Sequence, residues 1–329
     1  MFPTTARTFE QVVMHPRVNE IVRLLVDGHT SLIVCERGLA PGDARTRRMR
    51  TKSRTARSAL LRGVCPVFLT IALTINTIPA RVSNPVRLSA TSGAVFDDFL
   101  GPAGSAPNAQ FWDAAPGPTA GIGALENNTV SPSNVRLDGQ GHLVIEAQAT
   151  PTGYTSGRIV TFGKVDMLYG RVEARIKLPS TFAIWPAFWM LGTNFFEVSW
   201  PQCGEIDIVD MVSDESHFYA GIHGPVSPPE PSGYVLTTAK RSSDDMPLTD
   251  GFHTYWANWR PDFIQLGVDD TPLAEYTPAS LPPGAQWVFN EPMFAILNIA
   301  VGNAYIGTPD ARTTFPATML VDWFRYTPL

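Results

Sequence analysis

Three carboxylates are concentrated in one short segment, CGEIDIVDMV, at residues 203–212. Its first half alternates acidic and apolar residues, so Glu205 and Asp207 share one face of the predicted strand while the isoleucines share the other. Strict alternation would bury Asp210 without a partner, which is energetically costly. A β-bulge at residues 208–209 would restore the alternation and bring Asp210 onto the acidic face.

Three carboxyl groups on one face could carry out acid–base and nucleophilic chemistry on a glycosidic bond. Crowded carboxyls push their pKa values apart, so one can stay protonated while another is ionised. One acid can then protonate the leaving oxygen while one carboxylate attacks the anomeric carbon. Two acids on one strand suit the short separation, about 5–5.5 Å, of a retaining enzyme. The alternative for this segment alone is a solvated acidic strand face.

Tryptophans flank the acidic segment in the stretch TFAIWPAFWMLGTNFFEVSW, residues 181–200. Trp185 and Trp189 fall on one face of a predicted strand, and Trp200 lies five residues before Glu205. Flat aromatic rings can stack on the apolar faces of sugars, so tryptophans beside carboxylates favour a carbohydrate site. The alternative, that these tryptophans are core residues, is expected to hold for one of the three.

The segments around these residues predict one β-rich domain from Val95 onward. Apolar and polar residues alternate in stretches bounded by Gly, Pro, Asn and Asp, clearest at residues 142–148, 171–178 and 217–224. Two further stretches, FAILNIAV and TMLVDWFRY, predict strands that are buried on both faces. Many short strands at this spacing predict an all-β sandwich, and about 235 residues suit one large domain of that kind.

The N-terminal region has the composition of an export signal. Residues 50–62 are strongly basic. They are followed by an apolar run of about a dozen residues and by a short segment that ends in a small residue, Ala80, as at a cleavage site. That order is typical of a secretory signal peptide, and the apolar run is shorter than the ~20 residues of a membrane-spanning helix. We therefore predict a signal peptide at residues 49–80 and a flexible leader at 81–94, with an uncleaved anchor as the alternative.

Residues 1–48 precede this signal, although signal peptides stand at the start of a chain. We interpret these residues as an extension that is non-native, through an upstream misreading of the start codon, or that is rarely translated. The signal itself predicts a secreted protein with no membrane partner after cleavage.

Charge and cysteine content distinguish the predicted domain from the leader. Residues 1–87 hold 14 Lys/Arg and 5 Asp/Glu, a net charge of +9. Because the whole chain has a formal net charge of −5, residues 88–329 carry −14. An acidic domain argues against broad nucleic-acid binding. Of the three cysteines, Cys35 and Cys65 lie in the segments predicted to be lost, so Cys203 would form no internal disulfide. We expect Cys203 to be a small buried residue and not a nucleophile.

An ordered set of motifs is spread over about 230 residues of the chain. The segments are TSGRIVTFGKVDMLYGRVEARIKLP (155–179), WPAFWMLG (185–192), GEIDIVD (204–210), GIHGP (221–225), GFHTYWANW (251–259), PMFAILNIAVGN (292–303) and FPATMLVDWFRY (315–326). Through this set the chain resembles glycoside hydrolase family 16, the laminarinase and lichenase group. The resemblance implies a catalytic domain at residues 95–329 with a concanavalin-like β-jelly roll. That fold is a sandwich of two curved antiparallel sheets with a cleft on the concave face.

The resemblance also implies roles for individual residues. Glu205 matches the family's nucleophile, Asp207 matches the acid that tunes protonation, and Asp210 occupies the position of the acid/base. The spacing of five from Glu205 to Asp210 is that of the bulged motif, typical of endo-β-1,3-glucanases. The positions that match sugar-binding residues are Arg158, Trp185, Trp189, Trp200 and His223.

Asp322 matches an acid near a calcium site in many members of the family, so a structural calcium is a further expectation. No cofactor is expected for catalysis. The expected partner is a polysaccharide, and the expected state is a monomer.

This sequence departs from the family pattern at two places. Position 210 has Asp where the family has Glu, so its carboxyl lies roughly 1–1.5 Å further back. VGNAYIG, residues 301–307, stands where the family commonly has a double glycine and Trp-Pro-Gly, so that cleft edge could bind a different sugar.

The resulting expectation is a secreted retaining endo-glycosidase. It would hydrolyse internal β-1,3 or β-1,3/1,4 bonds of a β-glucan by double displacement, with activity reduced by Asp210. The first alternative is a weak or inactive glycan-binding protein on the same scaffold. The second is an enzyme that acts on another β-glycan, such as a galactan.

Overall fold

The computed structural model describes residues 93–119, 121–213, 217–230, 233–241 and 248–329, together with two strands nearer the N-terminus. The chain divides into two compact units, Met1–Pro85 and Val86–Leu329. In the first unit, β1 (Ile21–Val26) and β2 (His29–Val34) form an antiparallel pair. The predicted signal peptide at 49–80 and all but the last two residues of the predicted leader lie outside the described residues, so both stay predictions.

The second unit is built almost entirely of strands. Its strands are β3 (Val95–Asp97), β4 (Asp113–Ala114), β5 (Gly117–Pro118), β6 (Glu126–Asn128), β7 (Val135–Leu137), β8 (Leu143–Thr150), β9 (Gly153–Ser156), β10 (Arg158–Val160), β11 (Gly170–Lys177), β12 (Ile184–Gly192), β13 (Glu205–Met211), β14 (His217–Gly224), β15 (Tyr234–Arg241), β16 (His253–Arg260), β17 (Phe263–Val268), β18 (Thr271–Tyr276), β19 (Met293–Val301) and β20 (Ala317–Thr327). One helical turn, α1 (Phe195–Val198), and one 3₁₀ turn, Pro278–Ser280, interrupt them. No helix in the described chain is long and apolar enough to cross a membrane.

The strands form two sheets that enclose one hydrophobic core. A seven-stranded sheet has the order β15-β14-β13-β12-β19-β10-β4, and an eleven-stranded sheet has the order β18-β17-β16-β11-β20-β8-β9-β6-β5, with β3 and β7 beside it. The rings of Phe188 and Phe324 meet edge-on between the sheets, with centroids 6.2 Å apart. The predicted all-β jelly-roll sandwich is confirmed.

Alternation along the strands matches the sequence prediction, with one exception. Val172, Ala174 and Ile176 of β11 are buried, and every residue of β19 is buried, as its continuous apolar run predicted. The prediction that β20 is buried on both faces is wrong, since its outer residues are partly exposed. The register between β11 and β20 shifts at Asp322, and this bulge lets both Val321 and Phe324 face the core although they are three residues apart.

Candidate active site

Strand β13 carries the predicted bulge, and the bulge places three carboxyls on one face. Val209 pairs with Phe188 of β12, whereas the next residue of β12 pairs with Asp207, so Ile208 has no partner there. Ile208 and Val209 both contribute to the core. Asp210 is therefore released from the core and joins the other two acids on the outer face of the seven-stranded sheet, which we call the acidic face.

Two glycines lie next to the acids at positions where the backbone or its neighbours disfavour a side chain. Gly204 has φ +76°, a conformation that L side chains rarely adopt, and it directly precedes Glu205 at the start of the strand. Gly221 of β14 lies opposite Asp207, and a Cβ at that position would come within 2.5 Å of the Leu236 carbonyl oxygen. The glycines of GEID and GIHG are thus explained by sterics.

His223 is the nearest basic side chain to the acid cluster among the described residues. It lies opposite Glu205 across β13 and β14. Its Nε2 is 2.9 Å from Asp207 Oδ2 and 3.8 Å from Glu205 Oε1. The Nδ1 atom of His223 is buried and has no hydrogen-bond partner in the described chain. A protonated His223 would favour negative charge on the Glu205–Asp207 pair.

Burial governs the protonation of all three acids. Burial and the neighbouring charge of Asp207 raise the pKa of Glu205 well above its usual range, and His223 opposes that shift. Burial and then the charge of Asp210 raise the pKa of Asp207 well above its usual range. Burial also raises the pKa of Asp210, to about 6. Because the three groups interact, they lose their protons in successive steps that belong to the cluster as a whole and not to single residues.

The predicted tryptophans all lie on the acidic face, and none belongs to the core between the sheets. Trp189 donates a hydrogen bond from Nε1 to Asn298 Oδ1, 2.7 Å away. The ring of Trp200 lies 6.1 Å from that of His223. The Nε1–H of Trp185 is directed at the Asp210 carboxyl closely enough to lower its pKa, although it completes no hydrogen bond in the described chain. The expectation that one tryptophan is a core residue is wrong.

Arg158 extends the acidic face across β10. It pairs in register with Asn298 of β19, which in turn lies opposite Ala187 and next to the acids. Burial lowers the pKa of Arg158, and the charge of Glu126 opposes that shift. The structure thus brings Arg158 into the same cross-strand row as Asp210.

Three residues near the site were missed by the sequence analysis. Asn298 holds Trp189, and its signal is a single polar residue in the otherwise apolar strand FAILNIAV. Glu126 is buried, accepts a hydrogen bond from the Val301 backbone N–H at 2.7 Å, and lies near Arg158. Tyr305 is an exposed ring beside Trp185. Neither has a periodic signal, because Glu126 belongs to a strand of only three residues, β6, and Tyr305 lies in a turn.

The surroundings of Asp322 do not fit the predicted calcium. Its Oδ2 is 2.5 Å from Arg175 Nη1, so a guanidinium already neutralises the carboxylate. Asp322 belongs to no cluster of three or more metal-ligating side chains within the described residues. Calcium requires six to eight oxygen ligands, and this acid supplies its oxygen to an arginine.

Cys203 is a free, buried thiol, as predicted. Burial and then the charge of Glu205 raise its pKa to about 12, so it is not a thiolate at neutral pH. It packs in a small apolar cluster with Leu191, Phe294 and Ile296 on the same side of the sheet as the acids.

The geometry brings together three interacting carboxyl groups with raised pKa values and flat aromatic surfaces. Such a set can transfer a proton to a leaving oxygen and stabilise or attack the adjacent carbon. The acidic face spans several strands and is lined by rings, which suits an extended, hydroxyl-rich ligand.

Comparisons with known proteins agree with this chemistry. The sequence model of the family described as Glycosyl hydrolases family 16 matches residues 125–325, which contain every predicted site residue. The chain is 38% identical to the beta-glucanase of Rhodothermus marinus over 207 residues, 58% of this chain and 69% of that protein. It is 33% identical to glucan endo-1,3-beta-glucosidase A1 of Niallia circulans over 186 residues, 52% of this chain but 26% of that longer protein.

A solved structure supports the same similarity in three dimensions. The endo-beta-1,3-glucanase from Pyrococcus furiosus superposes with a TM-score of 0.63 at 40% identity, and the match covers 70% of this chain and 92% of that one. The shared region therefore includes nearly all of that protein and most of the second unit of this chain.

Proposed function

Because the chain belongs to glycoside hydrolase family 16, we propose that it is a retaining endo-glycosidase that hydrolyses internal bonds of a β-glucan. The bonds are β-1,3 or mixed β-1,3/1,4. The observation that carries the proposal is the bulge of β13, which gathers Glu205, Asp207 and Asp210 on one aromatic-lined face.

The reaction proceeds in two displacements. In the first, the Glu205 carboxylate attacks the anomeric carbon while Asp210 donates its proton to the leaving glycosidic oxygen, which leaves a glycosyl–enzyme ester. In the second, the Asp210 carboxylate takes a proton from water, and the water oxygen attacks the same carbon and releases Glu205. Asp207 Oδ2 lies 2.9 Å from His223 Nε2. The charge of Asp207 influences the pKa values of the two catalytic carboxyls, so that Glu205 is ionised while Asp210 keeps its proton.

The remaining predicted residues bind the polysaccharide. Trp185, Trp189 and Trp200 offer ring faces to the sugars, and Asn298 fixes the orientation of the Trp189 indole. Arg158 donates hydrogen bonds to sugar hydroxyls from the far end of the same cross-strand row. No cofactor is needed for these steps.

The test is a product assay on a panel of polysaccharides with anomer detection by NMR. Laminarin, a mixed-linkage β-glucan and a galactan are incubated with the purified chain, and reducing ends are counted. We expect release from laminarin with the β-anomer formed first. Release from the galactan alone would replace the substrate class, and the α-anomer first would contradict the retaining mechanism.

A second candidate function is glycan binding without turnover. It is favoured by Asp210, whose carboxyl is one methylene shorter than that of Glu, since an acid displaced by about 1 Å can cost on the order of 10²-fold in rate. Saturable binding of laminarin with no reducing ends over days would support this candidate. Any release that Glu205→Gln abolishes would exclude it.

We also propose that the protein is secreted and monomeric, with residues 49–80 as the signal peptide. The basic, apolar and small-residue order of that segment supports export. N-terminal sequencing of protein from a culture supernatant is expected to begin after Ala80. A mature chain that retained residues 1–48 would contradict the interpretation of that extension.

A further inference from the structure

Glu126 is a buried carboxyl that no step of the proposed reaction uses. Only 2% of the residue is exposed. It belongs to β6, near one edge of the eleven-stranded sheet, and it pairs there with Tyr154 of β9. A buried carboxylate is costly unless hydrogen bonds and an opposite charge compensate it, so the partners of Glu126 indicate its role.

The chain crosses from one sheet to the other directly before Arg158. Strand β9 belongs to the eleven-stranded sheet and β10 to the seven-stranded sheet, and only Gly157 separates them. A Cβ at Gly157 would lie 2.6 Å from the Asn134 carbonyl oxygen, so the crossing has no room for a side chain. Arg158 is therefore the first residue of β10, and β19 has no partner in β10 beyond Asn298.

Glu126 supplies a hydrogen bond that β10 does not make to the end of β19. Its Oε2 atom accepts the Val301 backbone N–H at 2.7 Å, and the Val301 carbonyl oxygen accepts the Leu125 backbone N–H at 2.8 Å. The Oε1 atom of Glu126 accepts a hydrogen bond from the Thr119 hydroxyl. Because each carboxyl oxygen has its own donor, the negative charge of Glu126 is held at one fixed place.

The charges of Glu126 and Arg158 compensate each other. Burial raises the pKa of Glu126, although its hydrogen bonds and then the charge of Arg158 lower it. Burial lowers the pKa of Arg158, and the charge of Glu126 opposes that shift. Each residue therefore makes the burial of the other less costly, and loss of the carboxylate would leave a half-buried guanidinium without that compensation.

The two residues lie in different directions from the acids of the acidic face. Val301, which Glu126 binds, is three residues beyond Asn298 along β19, and Asn298 lies opposite Arg158. Asp210 instead lies across three strand spacings, a distance of about 14 Å. Glu126 thus attracts the guanidinium along the strands, whereas the acids attract it across the sheet. A fixed Glu126 keeps the guanidinium at its own end of the row.

We propose that Glu126 is a positioning residue for Arg158. Its fixed carboxylate holds the guanidinium at the sheet crossing, where the guanidinium donates hydrogen bonds to the glycan. This inference rests on the proposed function, because the role of Arg158 in sugar binding belongs to that proposal. Glu126 itself contacts no sugar and takes no part in proton transfer.

The test is a double-mutant cycle on the affinity for laminarihexaose, measured by isothermal titration calorimetry. Every protein in the cycle carries Glu205→Gln, so that the ligand is not cut during the titration. Glu126→Gln removes the charge and keeps the shape, because its amide oxygen can accept the Val301 hydrogen bond and its amide nitrogen can donate to Thr119. We expect Glu126→Gln to raise Kd about fivefold, and to change Kd by less than about twofold when Arg158→Met is also present.

The matched control is Glu146→Gln, because Glu146 is also a buried carboxyl and lies 2.8 Å from Arg136. It is expected to leave Kd within about twofold. No loss of affinity in Glu126→Gln, or an equal loss with and without Arg158→Met, would overturn the inference. If thermal unfolding shows that Glu126→Gln is not folded, Thr119→Val replaces it in the cycle, since it frees one carboxyl oxygen and keeps the charge. The same coupling to Arg158 is then expected, and its absence would again overturn the inference.

The outcomes separate this inference from the proposed function, because the cycle measures binding and the product assay measures turnover. A wild-type protein that releases no reducing ends, although the cycle shows the coupling, would overturn hydrolysis and support the role of Glu126. Cleavage of laminarin without coupling in the cycle would overturn the role of Glu126 alone. A Glu205→Gln protein that binds no laminarihexaose, together with a wild-type protein that cleaves no laminarin, would overturn both.

Discussion

The acidic face and the outer face of the eleven-stranded sheet use the same residue types in opposite ways. On the eleven-stranded sheet, Glu173 lies 2.8 Å from Arg171 and 3.6 Å from Arg325, and Asp322 is paired with Arg175. We call this the arginine face. On the acidic face, His223 contacts two of the three carboxyls, those of Glu205 and Asp207, and no ion pair with lysine or arginine reaches the three acids within the described chain.

This difference distinguishes carboxylates that form ion pairs in the fold from carboxylates that are available to react. A paired carboxylate on a strand surface is compensated in the folded chain, so it contributes little beyond local stability. Three crowded, poorly compensated carboxyls make folding less favourable at neutral pH, because their charged forms are disfavoured by burial. A cluster with that cost and an aromatic lining has the character of a functional site.

The largest effect on activity is expected from a substitution of Glu205 on the acidic face. Glu205→Gln keeps the shape of the side chain but removes the nucleophile, so kcat/KM on laminarin is expected to fall at least about 10³-fold. The matched control is Glu173→Gln on the arginine face, which is expected to leave kcat/KM within about twofold. Similar losses in the two variants would contradict the distinction between the faces.

The next largest effect on activity is expected from lengthening the side chain at position 210. Asp210→Glu extends the carboxyl by one methylene toward the leaving oxygen and is expected to raise kcat, by up to about 10²-fold. Initial rates on laminarin at the pH optimum of each variant measure this. Asp210→Asn, which has the native length but no proton to give, is expected to lose activity. A fall in kcat for Asp210→Glu would mean that the bulge has adapted to the shorter side chain.

The acids of the acidic face should also make the free energy of unfolding depend on pH. Because burial raises the pKa of these carboxyls, the folded chain binds their protons more tightly than the unfolded chain. Their effect on stability is therefore least unfavourable at acidic pH, and stability falls as pH rises from the usual carboxyl range through about 6, the pKa of Asp210. Asp207→Asn removes one of these charges.

Asp207→Asn is expected to stabilise the fold at pH 7, because it removes a charged form that burial disfavours. We expect Tm to rise by about 2–4 °C, the shift that roughly 1 kcal/mol produces in a domain of this size. The gain should shrink when unfolding is measured at pH 4, where the native Asp207 is protonated in the folded chain. Glu173→Gln is expected to lower Tm at pH 7 because it removes two ion pairs. A loss of stability in Asp207→Asn at pH 7 would contradict the argument.

The smallest predicted effect is on the pH dependence. As pH rises, kcat/KM is expected to fall when Asp210 loses its proton, with a midpoint near pH 6. The Trp185 N–H favours the ionised form of Asp210, so Trp185→Phe should raise that pKa and move the alkaline limb upward by about half a pH unit. Trp200→Phe removes an N–H beside His223 and is the control, with no shift expected. A downward shift in Trp185→Phe would contradict the assignment.

Much of the fold and site could be predicted from the sequence because local alternation reports which face each residue occupies. The bulge of β13 follows from the mismatch between the isoleucines and Asp210, and the structure has it. The error at β20 also comes from a bulge. The shift at Asp322, together with the apolar residues Leu320 and Trp323 on the partly exposed face, hides the alternation that would have marked that face as open.

The sequence by itself determined the strands that have one buried and one exposed face, the acidic face of β13 and the motifs of the family. Each of these depends on residues that are close together in the chain. Tertiary structure alone decided which acids have an arginine partner, that Asn298 holds Trp189 from 109 residues away, and that Tyr305 meets Trp185. The physical reason is the order of strands in the sheet. β12 lies between β13 and β19, so contacts across it are fixed by register and not by distance along the chain.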